Sequence, residues 1–274
     1  MDHQTEYIHS HIKRSCFEDR FFKADVLFED HLLVWLISGE TRIVQADHTY
    51  TVGAGDTLLF PRHLLATVLN YPKDGLPHRS VVMHLTTEKL KEYYKKNEAS
   101  PAEGDARHLT FQTLGQHPFL KSCLASLVPY FELKEQLPEA IASLKIEEAI
   151  HILRTILPGI DAHLANFAEP GKINLASFME RNYMFNMPME KFGYLTGRSL
   201  TTFKRDFKKT FQTTPQKWLT RKRLELAHHQ IRQKNRKPSE VYLETGFENL
   251  SHFSYAFKKQ FGYTPTEGMV VIAK

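Results

Sequence analysis

Residues 200–215 and 250–265 carry the same Leu, Phe, Phe, Lys-Lys, Phe and Thr-Pro at the same places, fifty residues apart. Between these shared residues stand Thr201, Thr202, Lys204 and Arg205 in the first stretch. Ser251, His252, Ser254 and Tyr255 stand there in the second. On a helix, Leu200, Phe203, Phe207 and Phe211 fall on one face, so the variable residues point the other way. Their chemistry suits hydrogen bonding to base edges. Arg205 and Lys204 match guanine O6 and N7, while Thr201 and Thr202 suit a polar edge or a thymine methyl. The second helix turns outward Ser251, His252, Ser254 and Tyr255, with Leu250 in part, and has no Arg or Lys in its leading half; Leu250, Ser251, Ser254 and Tyr255 are its candidates for base edges, and it is expected to read fewer bases. Lys208, Lys209, Lys258 and Lys259 lie later in each helix, and Ser199 and Asn249 precede them. These six suit phosphate contacts, which fix register without reading sequence. Phe203, Phe207, Phe253 and Phe257 are read as core.

A repeat held in register implies one supersecondary unit built twice. Residues 174–183 open with the capping type Asn174 and read as a helix, and residues 188–195 read as a second, short one. Thr196-Gly197-Arg198 is then a turn where glycine supplies positive φ, and Ser199 caps a third helix. Short helix, glycine turn and helix make a helix-turn-helix. The second copy runs through 238–245, the turn Gly246-Phe247-Glu248, and 249–261 with Asn249 as cap. Between the copies, 215–234 reads as a long linker helix, with Trp218, Leu219, Leu224, Ala227 and Ile231 spaced to pack on both. Such a connector would seat the recognition helices in successive major grooves, roughly 34 Å apart. Thr-Pro is read as the stop that closes each copy.

Charge divides the 274-residue chain in the same place. From residue 172 onward there are 19 Lys and Arg against 8 Asp and Glu, a net +11. The first 171 residues have 17 against 23, a net −6. A basic half on an acidic one points to a polyanion partner for the C-terminal part alone. No apolar run reaches eighteen residues, so no membrane span is expected. The N-terminal residues lack an apolar signal core, and the two cysteines, Cys16 and Cys123, have no metal spacing. Both fit a reducing cytoplasm without disulfides.

Upstream, residues 15–87 alternate short apolar runs with Gly and Pro turns. The runs are 31–38, 41–46, 49–52, 57–60, 64–69 and 80–85, a pattern of antiparallel barrel or sandwich. Residues 98–105 read as a loop, and 114–136 and 139–167 as helices. Ile146, Ala149, Ile150, Leu153, Ile156 and Leu157 form one apolar stripe, interrupted by Pro158-Gly159. That stripe either packs within its own domain or joins two copies of the chain. Trp35, Phe60, Arg62 and His63 are candidates to line a pocket for a small organic ligand.

Residues 173–270 resemble the two-helix-turn-helix DNA-binding domain of AraC/XylS-type bacterial transcription regulators. The resemblance is carried by Gly197-x-Ser199, by Phe203 to Lys209 (FKRDFKK), and by Lys222-Arg223-Leu224 with Ala227. It is carried above all by Thr245-Gly246-Phe247, Phe253-Ser254, Ala256 to Gly262 (AFKKQFG) and Thr264-Pro265. Tyr255 departs from the family, where a basic residue is common. The N-terminal part resembles the cupin-like regulatory domain of such proteins through Gly39 and Val52-x-Ala-Gly55-Asp56-x-Leu-Leu-Phe60-Pro61. Cupin enzymes hold a metal with a His-x-His pair, a Glu and a later His. Residues 39–48 supply no such set, and His9-x-His11 lies outside it, so no metal or other cofactor is expected.

The resemblance implies an α+β chain of two domains. Residues 1–168 would be a cupin-like antiparallel β-barrel (about 15–87) with trailing helices (about 114–168). Residues 169–274 would be all-α, with helix-turn-helix units at about 173–211 and 238–261. It implies a sequence-specific regulator of double-stranded DNA, an activator that meets RNA polymerase in the bacterial cytoplasm, on the nucleoid. It would be a homodimer through helices around 139–167, controlled by a small-molecule effector or a regulatory protein. The alternative is a cupin-type metalloenzyme with a helical appendage.

Overall fold

The computed structural model describes residues 3–18, 21–45, 48–97 and 111–270. The loop expected at 98–105 lies outside them. The chain divides into two compact units, residues 1–168 and 169–274.

Among the described residues the first unit has ten strands: β1 (His3–His9), β2 (Ile12–Phe17), β3 (Phe22–Leu27), β4 (His31–Ser38), β5 (Glu40–Val44), β6 (Thr49–Gly53), β7 (Thr57–Phe60), β8 (Leu65–Tyr71), β9 (His78–Leu85) and β10 (Gln112–Gly115). Its helices are α1 (Thr87–Lys96), α2 (Pro118–Ala125), α3 (Val128–Leu133), α4 (Glu139–Ile156) and α5 (Asp161–Leu164). The strands form two antiparallel sheets instead of one closed barrel, in the orders β1-β2-β9-β4-β7-β10 and β3-β8-β5-β6. The six-stranded sheet lies between two apolar cores. Leu36, Leu58 and Phe60 face Ile43, Val52 and Ala66 of the other sheet. Leu33, Trp35, Leu59, Val81 and Met83 face the helices. A strand buried on both faces needs apolar residues throughout, which is why β4 reads as an unbroken run.

The sheet starts earlier than expected, at His3, because the hairpin β1–β2 pairs with itself, with a register shift between Tyr7 and His9, and then residue for residue with β9. The helix expected over 114–136 does not form as one element. Residues 112–115 pair with the edge of β7. Gly115 has φ +58, and α2 and α3 each begin beside a proline. The apolar stripe of α4 is also accounted for. Ile146, Ala149, Ile150 and Leu153 are buried in the unit's own core, with Ile156 and Leu157 packed against it. That stripe is therefore not a free face for a second copy.

The second unit is helical: α6 (Leu175–Asn182), α7 (Met189–Leu195), α8 (Leu200–Phe211), α9 (Pro215–Lys234), α10 (Pro238–Glu244), α11 (Leu250–Phe261) and α12 (Pro265–Val270). Its Thr-Pro pairs start helices. Thr214 accepts a hydrogen bond from Lys217 N as the cap of α9, and Pro215 sits in the first turn. At the second pair, Thr264 Oγ1 accepts from Glu267 N (3.3 Å) and the Glu267 carboxylate accepts from Thr264 N (2.6 Å). This reciprocal capping box starts α12, an element the sequence reading did not anticipate.

Candidate nucleic-acid interface

The first copy is α7, the turn 196–198 and α8. Thr196 is fully buried, and its hydroxyl donates to the carbonyls of Phe192 (2.9 Å) and Gly193 (3.0 Å). Gly197 has φ +64, and a Cβ there would lie within 2.6 Å of the backbone of Gly171 and Lys172. Only glycine fits such a place. Ser199 then accepts from Thr202 N (3.3 Å) and caps α8. Phe203 and Phe207 are fully buried. Thr201, Lys204, Arg205, Lys208 and Lys209 are exposed on the outer face, and Thr202 is half-buried.

The second copy repeats this with α10 and α11. Thr245 is again fully buried, donating to Val241 O (2.9 Å) and Tyr242 O (3.2 Å). Gly246 has φ +84, and a Cβ would meet Met184 O at 2.6 Å. Asn249 accepts from the backbone N–H groups of Ser251 (2.8 Å) and His252 (3.0 Å). Leu250, Ser251, Tyr255, Lys258 and Lys259 are exposed and Ser254 is half-buried. From the buried threonine to the cap is one residue longer here, Thr245 to Asn249 against Thr196 to Ser199. Each copy thus gathers its base-edge and phosphate candidates on one capped helix face.

The contact under each turn differs, and the sequence reading missed both versions. In the first copy the Arg198 side chain is only 7% exposed. It donates to Asp206 (3.1 Å), Ile173 O (3.1 Å) and Thr196 O (2.6 Å). That Arg198 bond, above all, holds the Asp206 carboxyl below the usual carboxylate range, with Arg205 and Lys172 adding to it. Arg205, 75% exposed, also rests its guanidinium on Asp206 (3.3 Å). In the second copy the place of Arg198 is taken by buried Phe247, against Phe253 at 5.1 Å between ring centres. The available signal was Asp206 itself, an acid within a basic helix, matched by Ala256 in the repeat.

Linker helix α9 serves both copies. Trp218 packs on Phe207, Phe211 and Tyr183. Leu224, Ala227 and Ile231 join Val241, Phe247, Phe253 and Phe257 in the core of the second copy. Arg223 bonds to both copies: to Tyr183 O (2.9 Å) and Phe185 O (2.6 Å) before α7, and to Gly246 O (3.3 Å) in the second turn.

In the first unit the four pocket candidates do not converge. Trp35 faces the helices, whereas Phe60 lies between the sheets, stacked on Phe28 at 4.5 Å. The physical reason is strand alternation: Leu32, not Trp35, is Phe60's partner across β4 and β7. Arg62 donates its backbone N–H to His31 Nδ1 (3.2 Å) and its guanidinium to Thr87 Oγ1 (3.4 Å). His63 occupies a left-handed turn position, φ +66. Burial pushes His31 down to about 4, so it is neutral at pH 7. Among the described residues no three His, Cys, Asp or Glu side chains are placed to hold a metal ion. Among them, too, no helix is long and apolar enough to cross a membrane.

Comparison with known proteins bears on both units. Residues 195–268 match the family model described as a helix-turn-helix domain, and residues 31–156 match the ExsA N-terminal regulatory domain. The chain is 28% identical over 155 residues to the thermoregulatory protein LcrF of Yersinia pestis, covering 55% of this chain and 56% of that protein. It is 29% identical over 155 residues to the virulence regulon transcriptional activator VirF of Yersinia enterocolitica, with coverage of 55% and 56%. These matches therefore span little more than half of the relatives' length. Identity to the HTH-type transcriptional regulator ExsA of Pseudomonas aeruginosa is 25% over 236 residues, covering 84% of this chain and 83% of that one. A solved structure of ToxT from Vibrio cholerae aligns at TM-score 0.41 and 12% identity, over 95% of this chain and 98% of that one. One chain thus joins an AraC-type helix-turn-helix domain in its second unit to a match with the ExsA N-terminal regulatory domain in its first.

Proposed function

We propose that the chain is a sequence-specific DNA-binding transcription activator, with no reaction of its own. The observation that carries this is the paired, capped helices α8 and α11, each with a buried phenylalanine face and an exposed polar face. In this reading Thr201, Thr202, Lys204 and Arg205 meet base edges from α8, and Leu250, Ser251, Ser254 and Tyr255 from α11. Ser199, Lys208, Lys209, Asn249, Lys258 and Lys259 hold phosphates. Relatives named as transcriptional activators support the sign of regulation, and RNA polymerase is the machinery such a protein would engage. It would act in the bacterial cytoplasm, on the nucleoid.

The first unit would carry the control, in keeping with its match to a regulatory domain. Its signal, a small organic ligand or a regulatory protein, would shift the population of DNA-competent molecules. Thermal shift against metabolites, set beside capture of cellular proteins, separates these two. Residues 1–168 would act as the regulatory domain and 169–274 as the DNA-binding domain. A homodimer would form through surfaces of the 139–167 region other than its buried stripe, for instance around exposed Leu144.

The deciding experiment is selection of duplexes from a randomised library by the purified full chain, followed by footprinting. Two protected blocks about one helical turn apart support the reading. Failure to enrich any sequence overturns it.

A further inference from the structure

Three parts of the second unit meet at one side chain. Arg223 of α9 donates Nε to Tyr183 O (2.9 Å) and Nη2 to Phe185 O (2.6 Å). Its Nη1 reaches Asn186 Oδ1 (3.3 Å) and Gly246 O (3.3 Å). Residues 183–186 lead into α7 and so place the first copy, while Gly246 is the bend that aims α11. These two segments also touch each other directly. Asn186 Nδ2 donates to Glu248 Oε1 (2.6 Å), and Gly246 lies so close to Met184 O that no side chain would fit between them.

Phe185 of this segment is fully buried, and polar bonds run beside it. Trp218 and Leu219 serve the first half of α9, and Leu224 onward serves the second copy. Beside Arg223 lies a cavity of about 190 Å³, lined also by Asn186, Met187, Pro188 and Leu219. A planar guanidinium with five donors in a fixed fork holds several acceptors at set angles, which a lysine does not. The backbone carbonyls of Tyr183, Phe185 and Gly246 are among its acceptors, so it constrains main chain directly.

We propose that Arg223 is the positioning residue that fixes the separation of α8 and α11, and so makes the protein demand one spacing between the two DNA blocks it reads. This rests on the DNA-binding reading above. A two-block reader discriminates spacing only as far as its own frame is stiff, because a soft frame adapts to either spacing at little cost.

The test uses the full chain and one duplex enriched from the randomised library, with one or two base pairs inserted or deleted between its footprinted blocks. Wild type should lose at least tenfold in affinity on each altered spacing. Arg223→Met should bind the original duplex more weakly and lose less than about threefold on respacing, with Arg223→Lys between the two. Thermal melting establishes that each variant is folded. If Arg223→Met does not fold, Asn186→Ala and Glu248→Ala carry the test, with a partly flattened profile expected. A folded variant that keeps the wild-type spacing profile overturns the proposal, as does a wild type indifferent to spacing. If no duplex is enriched, the DNA-binding reading fails and takes this proposal with it.

Discussion

Beneath the turn of the first helix-turn-helix lies an ion pair, Arg198 with Asp206, and beneath the second lies a ring, Phe247 on Phe253. Around them the two copies agree. A buried threonine closes the short helix, a left-handed glycine makes the bend, and a capping side chain starts the longer helix. The repeat is held where the backbone leaves one solution and diverges where two serve. The divergence has a functional edge: the ionic version sets a carboxylate against Arg205, whereas the ring version packs Phe247 on Phe253 and His252, and Ala256 stands where Asp206 does.

If the scaffolds are equivalent, removing the same ring from each should cost the same. Phe207→Ala and Phe257→Ala each empty a fully buried site and should each lower stability by about 3–5 kcal/mol in denaturant unfolding. A large loss in one and a small loss in the other would break the comparison at its base.

Next come the two contacts that differ. Phe247→Ala should fall near the low end of that same range of about 3–5 kcal/mol, because the ring is buried at an edge, and the loss should be indifferent to pH. The ionic version should respond to acid. Asp206 has a folded-state pKa below its unfolded value, chiefly through Arg198. Its contribution is therefore present at neutral pH and is lost as pH falls below about 4. Melting curves from pH 7 to pH 3 should show Asp206→Asn losing less stability on acidification than wild type. Equal acid sensitivity in the two proteins would remove the ion pair from the account.

On DNA the same contrast should favour the first copy. Arg205→Ala should weaken specific binding by about 1–3 kcal/mol and relax base choice at one position. Tyr255→Ala should cost less. Lys208→Ala should weaken cognate and scrambled duplexes alike and reduce the salt slope by about 1. Gel shifts over a salt series distinguish these outcomes. Tyr255→Ala costing more than Arg205→Ala would reverse the order of the two copies.

The second unit was legible because its signals are local. Glycine turns, capping residues and phenylalanines at helical spacing each act within one turn, and the register repeat doubled every one of them. What escaped notice there depends on groups distant in sequence, such as Arg223 against Tyr183 O and Gly246 O. The first unit was less legible for the opposite reason. Buried on both faces, β4 shows no alternation to say which way Trp35 points, and Phe60 of the paired strand lies in the other core. The hairpin β1–β2 lacks the apolar run that marks a strand; Ile8, Ile12 and Phe17 are its buried apolar residues, spread among polar ones, and pairing with β9 joins it to the sheet. The Ile146–Leu153 stripe had two possible partners, and periodicity alone could not choose its own core over a second copy.

The smallest expected effect lies at the ends of α8 and α11. Both close with a left-handed residue, Gln212 at φ +55 in the first and Gly262 at φ +84 in the second. Each sends its N–H back to the carbonyl four residues earlier, Lys208 O and Lys258 O. An L-residue with a side chain pays about 1 kcal/mol or slightly more for that conformation, whereas glycine does not. Gln212 recovers part of it by donating Nε2 to Lys209 O (2.9 Å). Gln212→Gly should therefore stabilise the protein by somewhat less than about 1 kcal/mol, and Gly262→Ala should destabilise it by about 1 kcal/mol. Denaturant midpoints at unchanged slope are the measurement. Opposite signs from matched positions would mean that the helix ends, unlike the contacts under the turns, obey one rule in both copies.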